Sequence, residues 1–277
     1  MSTKEAAPPV RIAPAVDPQP SRALWSGLPK GTSFLIVPVL AVLAWWAAGT
    51  LMSGLRGEII ASPSTIVDAL RTQLGDQETW HNLRVSMTSF AIAFGIAFPA
   101  AVLLGMAVAS SRRLTAVLEP FVYAIYSVPK VALYPIFLIV FGLTLKTIIA
   151  LAVLQGFYPA FFSTLGGLKA INPTYLAVAR SMAASNRQVV QKVVFRAGLR
   201  PIISGARVSA LMCFHGVITG EIISGDQGLG YQVIRDYRNF AYAEMYAAIV
   251  MAAGAVLVVY LLTSVIERKL VRVVGGR

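Results

Sequence analysis

The stretch LAVARSMAASNRQVVQKVVFRAGLRP, Leu176 to Pro201, holds four arginines and one lysine and no acidic residue. Apolar runs flank it on both sides. Its charges need water while its neighbours avoid it, and that conflict decides the fold. Local signals read as two short helices with a break. Asn172 before Pro173 is a helix start, a side-chain cap followed by a ring already set to helical φ. The first helix is expected to run to about Ala184. Ser185 with Gln188 three residues later is a capping box, which starts a second helix. Val189, Val190, Val193, Val194 and Ala197 share one face of it, and Gln188, Gln191, Lys192 and Arg196 another. The small residues 183–186 sit at the bend, where another surface could approach closely. Pro201 is expected to open the next apolar run.

Working outward, the chain has 277 residues, 57% hydrophobic and only 13% charged, with mean hydropathy +0.70. Soluble domains carry roughly 25% charged residues. Several uncharged runs reach the roughly 20 residues that cross a bilayer as a helix. Composition therefore points to an all-α polytopic membrane protein and away from a soluble core. Six spans are expected, at about 34–53, 85–110, 117–142, 147–168, 201–223 and 245–266. The third contains Pro129 and Pro135 and should be kinked or broken. Before the second span, Ser62-Pro63-Ser64 opens a short amphipathic helix with Ile66, Val67, Leu70 and Leu74 on one face. A glycine-rich polar loop, 224–244, separates the last two spans. Residues 1–30 hold six prolines and no apolar periodicity, the pattern of a disordered tail. They are not a secretory signal, because the apolar run begins only at Phe34 and is too long. Residues 31–277 then form the membrane domain, with the basic loop at about 170–200.

The net charge is +12. In a soluble chain this would suggest nucleic acid; in a membrane chain it reflects Lys and Arg kept on the cytoplasmic side. With six spans, 17 of the 24 Lys and Arg fall on the side of the two termini. Both termini and the basic elbow are thus expected in the cytoplasm, with membrane lipids and no nucleic acid as surroundings. Cys213 is the single cysteine, so neither an intramolecular disulfide nor a thiolate metal cluster is available. The two histidines, His81 and His215, lie in separate segments, and no metal or nucleophile constellation stands out. The GDQGLG run at 225–230 lacks the Lys-Ser/Thr of a phosphate loop and reads as a tight outer loop that could meet a partner. ATP hydrolysis by this chain is not expected.

Lys130 follows Pro129 inside an apolar run. An intramembrane cation is a functional candidate by default. It could attract an anionic solute, or hold carbonyls freed by the proline break. Gln155, Tyr158, His215 and Glu221 are further candidates for lining a transport path. For each alone, helix–helix hydrogen bonding is the competing role. Glu221 could gate the outer mouth or enter an ion pair, although Arg207 is too far along the same helix to be its partner.

The elbow resembles the EAA loop of the membrane subunits of binding-protein-dependent ABC importers. The Glu-Ala-Ala triplet of that loop is Ala177-Val178-Ala179 here, its glycine is Ala183, and its hydrophobic ending falls at Phe195 to Pro201. Arg180, Ala184 and Ser185 match the common form of the motif. ASPSTIVDAL (61–70), SVPKVALYPIFLIVFGLT (127–144), GFYPAFFSTLGGLKAINP (156–173) and GEIISGDQGLGYQV (220–233) resemble, in order, stretches of the nitrate/sulfonate/taurine-type branch. The resemblance implies that the elbow is a coupling helix, with Ala177, Ala179, Arg180, Ala183, Ala184, Ser185 and Asn186 facing a separate ATPase. It further implies a second permease copy, two cytoplasmic ATPase subunits, and a periplasmic or lipid-anchored solute-binding protein. ATP and magnesium would sit on the ATPase and no cofactor on this chain. The solute would be a small compound of the nitrate, sulfonate or taurine kind. The competing reading is a secondary transporter driven by an ion gradient, which would leave the elbow without a purpose. A membrane enzyme would need a catalytic set, and none is evident.

Overall fold

A computed structural model describes residues 61–274 and, before them, Leu40, Leu43 and residues 45–47, which are helical. The tail at 1–30 and most of the first expected span lie outside the described residues. From residue 61 onward every regular element is a helix: α1 (Pro63–Gly75), α2 (Gln77–Ala109), α3 (Arg112–Ser127), a 3₁₀ turn (Lys130–Leu133), α4 (Tyr134–Phe141), α5 (Leu145–Lys169), α6 (Pro173–Ser181), α7 (Asn186–Val189), a π turn (Val190–Val194), α8 (Phe195–Ser224), α9 (Leu229–Arg238) and α10 (Tyr242–Val274). Four helical runs are long and apolar enough to cross a membrane, and the bent pair α3 and α4 makes a fifth. They correspond to the second to sixth expected spans.

Hydropathy located the spans but not always the helix ends. The Asp76 side chain accepts from the Glu78 amide at 3.2 Å, so α2 starts at Gln77, eight residues before the expected edge of the apolar run. Its 33 residues amount to about 50 Å, against a hydrocarbon layer of about 30 Å. The third span is not one kinked helix. Its halves meet at 86°, with Pro129 ending the first and the 3₁₀ turn starting the second. Pro201 does not open the fifth span. The second elbow helix runs through the π turn into α8, and Pro201 lies inside that helix. The loop at 224–244 contains α9, a helix of ten residues.

The core is the antiparallel pair α5 and α8, with α2 laid against both. Glycine makes the close approach. A Cβ on Gly216 would lie 2.6 Å from the Ala152 Cα, one on Gly205 2.6 Å from the Ser163 Cβ, and one on Gly167 2.2 Å from the Pro201 Cγ. Small residues at such a seam let backbones touch, which is how spanning helices gain packing without a hydrophobic driving force between them. Hydroxyls stitch the seam: Ser209 Oγ donates to the Gly156 carbonyl and Ser163 Oγ to that of Pro201, both at 2.7 Å. Ala93 and Ala97 of α2 complete the cluster with Ile148, Ala152, Cys213 and Val217. By contrast α10 leaves Ile249, Val250, Leu257, Val258, Leu261 and Leu262 exposed, the surface expected of a helix that faces lipid.

Candidate coupling elbow and transport path

The elbow is built by two local capping motifs. Asn172 Oδ1 accepts from the Thr174 amide at 2.9 Å and starts α6. At its end the Ala183 amide donates to the Arg180 carbonyl (2.9 Å) and the Ala184 amide to that of Ala179 (3.1 Å). This crossed pair is a Schellman closure, which requires a left-handed residue at its turn. That residue is Ala183, with φ 53°. Glycine is favoured there because an L side chain crowds its own carbonyl. Two residues on, the Gln188 amide donates to Ser185 Oγ (3.3 Å) and the Ser185 amide to Gln188 Oε1 (2.9 Å). The capping box expected from the sequence is present. One motif stops α6 and the next starts α7, so the bend is rigid.

Ala177 and Arg180 are exposed on one face of α6, and Ser185 is exposed at the bend. Ala183 is also exposed and Ala184 half-buried, while Asn186 opens α7. Ala179 is buried and serves the closure through its carbonyl. The opposite face of α6 carries an apolar stripe. Tyr175, Val178 and Met182, spaced i, i+3 and i+7, are exposed by 59%, 51% and 77%. They line a cleft of about 660 Å³ with Lys192, Val193 and Arg196 across the bend. Helical spacing alone would have revealed the stripe.

Four of the five path candidates come together near the break in the third span. Lys130 Nζ donates to the Tyr126 carbonyl at 2.9 Å, one of the carbonyls that the end of α3 leaves open. The ammonium lies 3.7 Å from the centroid of the Tyr126 ring and 5.4 Å from that of Tyr158. One turn from Tyr158 on α5, Gln155 Oε1 is 2.9 Å from His215 Nδ1 on α8. Among the described residues no carboxylate pairs with Lys130.

Glu221 stands apart from that group. It is fully buried. Ser86 Oγ donates to its carboxylate at 2.8 Å, and the Gly230 amide donates to Oε2 at 2.9 Å. Ser86 Oγ in turn accepts from the Leu229 amide, and Asn82 Oδ1 from the Gly228 amide, each at 2.9 Å. The first amides of α9 are thus capped from α2 and α8, where helix polarity favours negative charge. Gly228 has φ 103°, and a Cβ there would stand 2.2 Å from the Glu221 Cδ. The glycine-rich run folds onto a buried carboxylate. Ser86 and Asn82 carry no signal in the sequence that would single them out.

The model of the family described as "Binding-protein-dependent transport system inner membrane component" matches residues 97–275. The chain belongs to this family. It is the transmembrane permease subunit of an ATP-driven ABC importer, a multi-pass inner-membrane protein. Such a component works with ATPase subunits and a solute-binding protein, and the ion-gradient alternative falls away. Similar curated proteins include the putative aliphatic sulfonates transport permease SsuC of Bacillus subtilis, 26% identical over 94% of this chain and 92% of its own. The taurine permease TauC of Escherichia coli is 28% identical over 72% and 74%, and the bicarbonate permease CmpB of Synechococcus elongatus 27% over 62% of each. The branch is that of nitrate/sulfonate/taurine importers. Among solved structures, a chain of the inward-facing MetNI methionine ABC transporter superposes with TM-score 0.52 at 20% identity, over 70% of this chain and 94% of that one. At that identity the likeness shows the fold.

Proposed function

We propose that two copies of this permease enclose a path for a small anionic solute, with both termini and the elbows in the cytoplasm. Each elbow seats on one of two ATPase subunits, and a binding protein delivers solute at the opposite face. ATP-driven closure of the ATPases moves the two elbows together, and a stiff bend passes that motion to α5 and α8. The observation that carries the solute class is Lys130, an intramembrane cation without a carboxylate partner among the described residues, beside Tyr158, Gln155 and His215. Permeases named for sulfonates, taurine and bicarbonate among the relatives agree with it. An exposed stripe on α8, Val208, Met212 and His215, supplies a face toward the path or the second copy. The test is ATP-driven uptake of ethanesulfonate by proteoliposomes holding the complete complex. Lys130→Gln is expected to lower uptake by about tenfold or more, the loss of one charge-assisted hydrogen bond, while ATP hydrolysis continues. Undiminished uptake in the variant, or transport confined to uncharged solutes, would remove Lys130 from the path.

A further inference from the structure

The cleft inside the elbow is distinct from the face of α6 that carries Ala177 and Arg180. Its floor is Tyr175, Val178 and Met182, all more than half exposed, and its far wall is Lys192, Val193 and Arg196. Lys192 and Arg196 are four residues apart and stand on one face of the π turn and α8. Neither enters an ion pair among the described residues. From Phe121 to Gly220 the chain has no acidic residue, and the acids that pair with basic residues of that stretch, Glu119 with Lys169 and Glu267 with Arg207, do not line the cleft, so its lining is cationic. It is also short. The nine residues of α6 extend for about 13 Å, too little to seat a partner helix of ordinary length but enough for a phosphate head and the upper part of an acyl chain.

We propose that this cleft seats an anionic phospholipid of the cytoplasmic leaflet. The phosphate lies between Lys192 and Arg196, and the first methylenes cover Tyr175, Val178 and Met182. The inference rests on the cytoplasmic placement of the elbow proposed above. A negative leaflet surface supplies the ligand where basic juxtamembrane residues collect it, and the apolar floor supplies the burial that a simple phosphate ion would not use. The lipid fills the inner angle of the elbow and leaves the Ala177 and Arg180 face free for the ATPase. Coupling then depends on the membrane's anionic lipid content.

The experiment uses the full permease complex in vesicles of phosphatidylcholine, with or without phosphatidylglycerol. Native mass spectrometry reads the retained phosphatidylglycerol, and co-purification reads the ATPase. The variants are K192Q/R196Q, V178E on the cleft floor, and R187Q, an exposed arginine outside the cleft. Cys213, fully buried, monitors folding, since a thiol dye reaches it only when the helices part. Each removed cation is expected to lower phosphatidylglycerol retention roughly fivefold, so about twenty-five-fold for the pair. V178E should act in the same direction and R187Q should not. ATPase co-purification should persist in all three. Retention unchanged in both cleft variants overturns the proposal. So does loss of the ATPase with lipid retention intact, which would make the cleft an ATPase contact instead. If wild-type protein retains the lipid but brings no ATPase, the coupling reading fails and the lipid seat stands.

Discussion

Gly166 and Gly167 are neighbours in α5 and cannot be told apart in the sequence, but alanine should act on them in opposite directions. A Cβ on Gly166 meets nothing within 4 Å. Alanine there removes the helix-interior cost of glycine and should stabilise by up to about 1 kcal/mol. A Cβ on Gly167 would lie 2.2 Å from the Cγ and 2.4 Å from the Cβ of Pro201, against about 3.5–4.0 Å for carbons in contact. The proline ring cannot rotate away as a flexible side chain would. Relief requires α5 and α8 to separate by roughly 1.5 Å, which loosens the seam at Gly205 and Gly216 as well. Overpacking of this kind costs about 1–3 kcal/mol, more than the helix propensity returns. The propensity gain is common to both, so the two variants should differ by the overpacking cost, about 1–3 kcal/mol, or roughly 2–12 °C in thermal midpoint. A thiol-reactive dye in detergent solution measures it, because Cys213 is buried in the same seam and labels only as the seam opens. Equal midpoints for G166A and G167A, or a lower one for G166A, would refute the glycine-mediated contact between these helices.

Ala183→Gly relieves the left-handed alanine at the end of α6 and should stabilise the elbow by about 1 kcal/mol, seen as slower amide exchange across residues 176–190. Ala184→Arg places a long cation at the bend. It should abolish transport and ATPase co-purification without reducing membrane insertion, and normal uptake would remove the elbow from the mechanism. Gly228→Ala forces a side chain onto the Glu221 carboxylate at a φ of 103°. It should cost about 2 kcal/mol or more and expose the start of α9 to proteolysis, and an unchanged digestion pattern would count against the buried cap.

Features governed by near neighbours were legible in the sequence. The caps at Asn172 and Ser185 join groups two or three residues apart, and the structure has both. The break of the third span was also legible, since two prolines interrupt the backbone ladder locally. Its 86° angle was not, because that depends on Lys130 meeting the end of α3 and Tyr134 reaching the Gly220 carbonyl on α8. The start of α2 at Gln77 and the passage of α8 through Pro201 were misplaced by hydropathy, which registers where side chains are apolar and not where a helix is capped. The helix within 229–238 was read as loop because its stability comes from Ser86, Asn82 and Glu221, none of them adjacent to it.

The sequence by itself determined the class of this protein. Apolar content and run length demand a bilayer, the lopsided distribution of lysine and arginine points to an orientation, and paired caps mark a basic elbow. These are sums and short-range patterns, which survive without coordinates. Only the tertiary structure decided which glycines are contacts, that Glu221 closes the loop after α8 through Ser86 and Gly230, and that Lys130, Tyr158, Gln155 and His215 share one neighbourhood. Each of those facts joins residues tens to more than a hundred positions apart, and such a meeting leaves no mark on the residues between.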